Sequence, residues 1–205
     1  MSLGVGTKLN KSDFTDILND PARVIRYFNK TPDIDIVHFG TADELWCHAI
    51  LLIADRSLFD NLAHALISFW KKDCIFNEEL SSEDVSAEQD AGRIARAFYS
   101  DCMEYEFKNL SKQEFFKEID IATEGIKNAI LKRPERSQGP LNWSKPETYW
   151  GIFVNNRRIT AIESYSPRIE DQFLNGLFLS SKWNDIKLFA ATENQYLYFN
   201  WSTGA

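Results

Sequence analysis

The chain has 205 residues, 44% hydrophobic and 14% aromatic, and its 23 basic and 30 acidic side chains give a formal net charge of −7. That apolar content excludes a disordered chain, since it can offset the entropy of ordering; 9 Gly and 6 Pro exclude a fibrous or linker-like architecture. No run approaches the roughly 18–20 apolar residues of a membrane helix, and a pI near 5.1 is the wrong sign for phosphate binding, which needs a basic patch. Neither a membrane nor a nucleic acid is expected as partner.

In chain order, residues 1–11 are poor in apolar side chains and form a loosely held end. Met1 to Gly6 offer no basic segment followed by an apolar one, so no secretory signal is expected and the cytoplasm is the default location. A first helix is expected from Ser12 to Asn29, with Phe14, Ile17, Leu18, Val24, Ile25 and Phe28 near helical spacing and a break or new turn at Pro21. The segment 33–39 alternates enough for a short strand stopping at Gly40. Thr41 and Glu44 have the spacing of a capping box, and the dense apolar run Leu45 to Ala54 after it reads as a buried helix. Leu58, Phe59, Leu62, Leu66, Ile67, Phe69 and Trp70 predict a further helix to Lys72, with Lys71 and Lys72 suited to its negative end.

Another helix is carried by Ile94, Phe98, Cys102, Tyr105 and Phe107. Ser111 and Glu114 form a second capping box that opens a helix running through Phe115, Ile119, Ile126 and Ile130. Residues 133–140, with two prolines and a glycine, break that pattern and mark the main internal boundary. Beyond it the texture turns aromatic and β-branched. Residues 148–154 and 158–165 are expected to pair across a turn at Asn155-Asn156-Arg157, and 170–178 to form a short helix. A second hairpin joins 186–191 to 195–201 around Glu193-Asn194. Runs of helices followed by runs of strands predict one α+β domain spanning 1–205. Its helical part covers about 12–133 and packs on a C-terminal antiparallel β-sheet within about 141–203.

Motifs for chemistry are sparse. His38, His48 and His64 lack the spacing of a helical metal pair, and Cys47, Cys74 and Cys102 form neither paired CxxC motifs nor a disulfide framework. They read as ordinary histidines and free thiols, and no metal or cofactor is expected. No GxSxG elbow is present, a Cys102–His pair is unforced by spacing, and the glycines of Gly4-Val5-Gly6 follow no strand. Glu163 and Glu193 are the carboxylates best placed for acid–base work if strand alternation turns Glu163 inward. Nothing positive points to an enzyme.

Charge and aromatics are more informative. Residues 1–133 hold 16 basic and 23 acidic side chains, whereas residues 134–205 hold 7 of each. Glu78, Glu79, Glu83, Asp84, Glu88 and Asp90 place six acids in thirteen positions with no Lys or Arg between them. They suit a loop feeding a helix N-terminus, and equally a docking surface for a basic protein. Four of the six tryptophans, Trp143, Trp150, Trp183 and Trp201, fall in the last 63 residues. Alternation puts Tyr196, Tyr198 and Asn200 on one face of the last strand and Leu197, Phe199 and Trp201 on the other. If helices cover one face alone, the tyrosines face solvent and can anchor a partner; otherwise both faces are covered.

The stretch from Phe189 to Thr203, with Glu193 at the turn and an aromatic strand ending at Trp201-Ser202-Thr203, resembles the closing hairpin of some bacterial toxin-immunity proteins. That resemblance implies a non-enzymatic chain that binds a cognate toxin domain, often a basic nuclease, and occludes its active surface. The partner-binding residues are then expected among Glu78, Glu79, Glu83, Asp84, Glu88, Asp90, Trp143, Tyr196 and Tyr198. Two other readings stay open: a small-molecule enzyme using carboxylate or histidine acid–base chemistry between sheet and helices, and a structural subunit that self-associates through its tyrosine-rich strand.

Overall fold

A computed structural model describes residues 11, 12, 20–30, 32–41, 47–76, 91–136, 142, 148–162, 165, 167, 169–182 and 184–203. Within them lie four α-helices: α1 (Pro21–Phe28), α2 (Leu62–Phe76), α3 (Ala91–Glu104) and α4 (Lys112–Lys132). Eight strands accompany them: β1 (Asp35–Gly40), β2 (Cys47–Asp55), β3 (Lys108–Leu110), β4 (Gly151–Val154), β5 (Arg157–Arg158), β6 (Phe173–Lys182), β7 (Asp185–Thr192) and β8 (Gln195–Thr203). All eight join one sheet in the order β3-β6-β7-β8-β2-β1-β4-β5, and every pairing is antiparallel. The fold is α+β.

The apolar run expected to form a buried helix is instead β2. It pairs along its length with β1 and β8, and its side chains divide between two cores. Ile50, Leu52 and Ala54 enter the core that also holds Leu66, Phe69 and Phe98 of α2 and α3. Ala49 and Leu51 enter the one that holds Phe115, Ile119 and Ile126 of α4. A strand buried on both faces needs apolar residues at every position, so its alternation is invisible and the run imitates a buried helix. The Thr41–Glu44 capping box lies partly outside the described residues. The helix expected over 170–178 is also corrected, because Phe173–Lys182 is a strand paired with β7 and, at Gly176 to Phe178, with β3. A Cβ at Gly176 would lie 3.0 Å from Phe173 Cζ and 3.3 Å from the Leu110 carbonyl oxygen, so glycine leaves room for the close approach of β3.

Other expectations hold more closely. The β7–β8 hairpin forms with its turn at Glu193-Asn194. Asn155 (φ 47°) and Asn156 (φ 65°) make the two left-handed residues of a tight hairpin turn, a conformation asparagine tolerates better than most. The return strand β5 is two residues long, far shorter than 158–165. The second capping box is complete: the Glu114 N–H donates to Ser111 Oγ (3.3 Å) and the Ser111 N–H donates to Glu114 Oε2 (2.8 Å). The helix in question, α4, buries Phe115, Ile119, Thr123, Ile126 and Ile130.

The result is three layers: α1, α2 and α3 on one face of the sheet and α4 on the other. The described α-helices all precede residue 133 and five of the eight strands follow residue 150, so helix and sheet segregate along the chain much as expected. The difference is that β1 and β2, from the helical part, sit inside the sheet between β8 and β4. Both faces of β8 are covered: Tyr196 and Tyr198 belong to the α2–α3 core and Leu197 and Phe199 to the α4 core.

Candidate functional site

Of the residues expected to bind a partner, Glu78, Glu79, Glu83, Asp84, Glu88, Asp90 and Trp143 lie outside the described residues. So does Glu163. Tyr196 and Tyr198 are described, and both are interior at 5% and 0% exposure. Their solvent-facing role is corrected by the presence of helices on that face. Tyr196 packs on Phe59 and Phe189, while Tyr198 stacks on Phe69. Burial pushes both phenols above their ordinary range. Glu193 is exposed in the β7–β8 turn, which is fixed through the backbone by Arg56 Nη1 donating to the Thr192 (2.8 Å) and Glu193 (3.0 Å) carbonyls.

The buried ionisable groups were not singled out in the sequence as a set, and they define the chemistry of the interior. Asp73, 3% exposed, lies on the α2 line Leu62, Leu66, Phe69, Asp73 that helical spacing turns inward. Its carboxylate accepts from the Tyr198 hydroxyl (2.9 Å) and, at both oxygens, from Asn200 Nδ2 (2.8 and 3.0 Å). These bonds tie α2 to β8 through a wholly enclosed polar cluster. The Tyr105 hydroxyl and Asn200 Oδ1 are buried with no hydrogen-bond partner among the described residues. Asp101, at the other side of the helix pair, accepts from Trp70 Nε1 (2.7 Å).

His38 is 2% exposed, stacks on Phe153 and meets the edge of Tyr149. Burial, aided by nearby His48, lowers its pKa to about 3, so it is neutral at physiological pH. His48 is paired across the sheet, its Nε2 lying 3.1 Å from Ser202 Oγ. His64, on the first turn of α2, stacks on Tyr27 instead of approaching His48. Cys102 is fully buried, and burial pushes its thiol pKa far up, which removes the thiolate a nucleophile needs. Cys74 is likewise buried and is not part of a disulfide. Among the described residues, no group of three or more His, Cys, Asp or Glu is placed to hold a metal ion, and no helix is long and apolar enough to cross a membrane.

On the outer side, an open groove of about 710 Å³ follows the exposed flank of α4. Phe116, Ile121 and Leu131 supply its apolar floor, with Lys117, Glu124 and Lys127 around them. Ile121 is 54% exposed. The groove combines accessible apolar area with charges of both signs, and Lys127 Nζ lies 3.7 Å from Asp120 Oδ1. A second basic and aromatic corner forms where Arg136 lies over the Trp150 ring at 5.2 Å and Arg158 over Phe153 at 4.5 Å, with Arg158 Nη1 donating to the Trp150 carbonyl.

The fold and these groups define an α+β protein built on a single eight-stranded antiparallel sheet. No protein-family model, curated protein or solved structure matches the chain.

Proposed function

We propose that this chain is a non-enzymatic protein-binding protein of the toxin-immunity kind, which neutralises a basic partner by covering its active surface. The observation that carries the reading is the concentration of acid: six carboxylates from Glu78 to Asp90 with no intervening cation, in a chain whose whole charge excess lies before residue 134. Such a field raises the rate of encounter with a basic domain, and its carboxylates can stand where a nuclease would hold phosphates. Supporting it, the described ionisable groups of the interior are committed to packing. Asp73 is engaged by Tyr198 and Asn200, His38 is held neutral, and the Cys102 thiol is held protonated. With Tyr196 and Tyr198 inside, Trp143 remains the aromatic anchor of the expected set.

The experiment is co-expression with the product of the adjacent reading frame, because a neutralising protein must be made beside its target. The account predicts that this chain restores growth of cells making that product and co-purifies with it. The triple reversal Glu83→Lys, Asp84→Lys, Glu88→Lys should weaken both effects. A neighbouring product that neither binds nor harms the cell would remove the support for this reading.

A further inference from the structure

The seam between α1 and α2 contains a buried histidine whose two ring nitrogens are used unequally. The Asp60 N–H donates to His64 Nδ1 (3.1 Å), so Nδ1 must be unprotonated and the ring proton sits on Nε2. Nε2 is buried with no hydrogen-bond partner among the described residues, and the residue is 1% exposed. The ring stacks on Tyr27 of α1 at 4.5 Å and 12° and meets Phe59 edge-on at 5.4 Å. Asn61 joins the same seam. Its Oδ1 accepts from the Ala63 and His64 N–H groups (3.1 and 3.0 Å) at the start of α2, and its Nδ2 donates to the Tyr27 hydroxyl (2.7 Å).

The charges facing this ring are few and specific. From the α1 side come Lys30 and Arg26, 5.8 and 5.6 Å from the centre of the Tyr27 ring. From the segment leading into α2 comes Asp60, whose carboxylate takes Lys30 Nζ at 2.6 Å and lies 3.9 Å from His64 Nδ1. Farther along α2, Lys71 donates to the carbonyl of Phe28, the last residue of α1 (2.7 Å). The end of α1 is held by burial of Val24, Tyr27 and Phe28, by Lys71 over the Phe28 ring at 4.6 Å, and by the stack, hydrogen bonds and ion pair just described; the stack and the ion pair meet at His64 and Asp60.

We infer that His64 is an acid-sensitive latch for α1: protonation at Nδ1 breaks its bond to the Asp60 N–H and draws the Asp60 carboxylate away from Lys30, loosening α1 while the sheet stays folded. The chemistry follows from donor and acceptor counting. A proton on Nδ1 sets two N–H donors against each other, and the nearest acceptor able to resolve that conflict is the Asp60 carboxylate, already engaged by Lys30. Burial first, then Lys30, keep the neutral ring favoured near neutral pH, with Asp60 acting against them. The latch holds whether or not the acidic stretch meets a partner.

Amide exchange of the peptide covering 21–30, corrected for intrinsic rates, tests it on the full chain at pH 7.5 and 5.5, together with the ring titration of His64 followed by NMR. The latch predicts that opening of this peptide rises severalfold, and by no more than about tenfold, from pH 7.5 to pH 5.5, while β2 and β8 peptides stay protected. His64→Phe keeps a stacking ring without a titrating nitrogen and should flatten the dependence. Should that variant fail to fold, Lys30→Gln serves: removing the cation should move the His64 midpoint to higher pH. Exchange of 21–30 that is independent of pH, that tracks β2 and β8, or that persists in His64→Phe overturns the latch, as does an unmoved midpoint in Lys30→Gln.

Discussion

At the scale of single residues, the interior depends on Asp73. Its carboxylate receives Tyr198 and Asn200 from β8 across an apolar core, and removing it leaves two buried donors without an acceptor. Loss of a partner from a buried charged hydrogen-bond network costs about 3 kcal/mol. Asp73→Ala should therefore lower the unfolding free energy measured in urea by that amount at pH 7.5, while Asp73→Asn, which keeps one acceptor oxygen, should cost less. Equal stability of the two variants would contradict a role for the acceptor oxygen that Asn retains. Asp73 was legible in principle, since an acid on the line Leu62, Leu66, Phe69 points inward. Its partners were not, because they lie 125 and 127 positions away. Tyr196 and Tyr198 show the complementary limit: alternation paired them on one face, but whether helices cover that face is decided by tertiary packing.

At the scale of elements, local signals succeeded where they act locally. The Ser111 and Glu114 spacing specified a capping box that forms in full, and Ser111→Ala should destabilise the protein by about 1 kcal/mol, measured by thermal or urea unfolding. An unchanged midpoint would mean that burial of Phe115 and Ile119 alone fixes the start of α4. The Asn155-Asn156 turn and the β7–β8 hairpin were readable for the same reason. The strand β2 was not, because central burial erases the period that separates strand from helix. The strand β6 was masked by the acids Glu170 and Asp171, which resemble a helix start. Asp171 instead binds the neighbouring turn, accepting from the Asn194 N–H at 2.6 Å. Lys71 was read as complementing its own helix dipole, yet it donates to the C-terminal carbonyl of α1. The physical preference was the right one, applied to the wrong helix.

At the scale of the whole molecule, two buried histidines set the dependence of stability on pH. His38 titrates at about 3 in the folded chain and near 6.5 when unfolded, and His64 is lowered as well. The folded state therefore binds fewer protons than the unfolded one as pH falls below 6.5, so stability is complete above that value and is lost on acidification. At about 1.4 kcal/mol per pH unit for one such group, unfolding free energy should fall by about 2 kcal/mol between pH 6.5 and pH 5. Chemical denaturation at the two values checks this, and a flat or rising profile would contradict the placement of both rings. The fold needs these residues inside, whereas the charge excess belongs to the first 133 residues and its densest part to Glu78–Asp90. Composition made that segregation visible without a structure, and it is what the proposed interaction uses. The most direct measurement is the association rate with the neighbouring gene's product as a function of ionic strength, for the natural chain and for Glu83→Lys, Asp84→Lys, Glu88→Lys. The account predicts a rate that falls steeply with salt in the natural chain and a slower, nearly salt-independent rate in the variant. Equal rates with equal salt dependence would contradict a docking role for the acidic stretch.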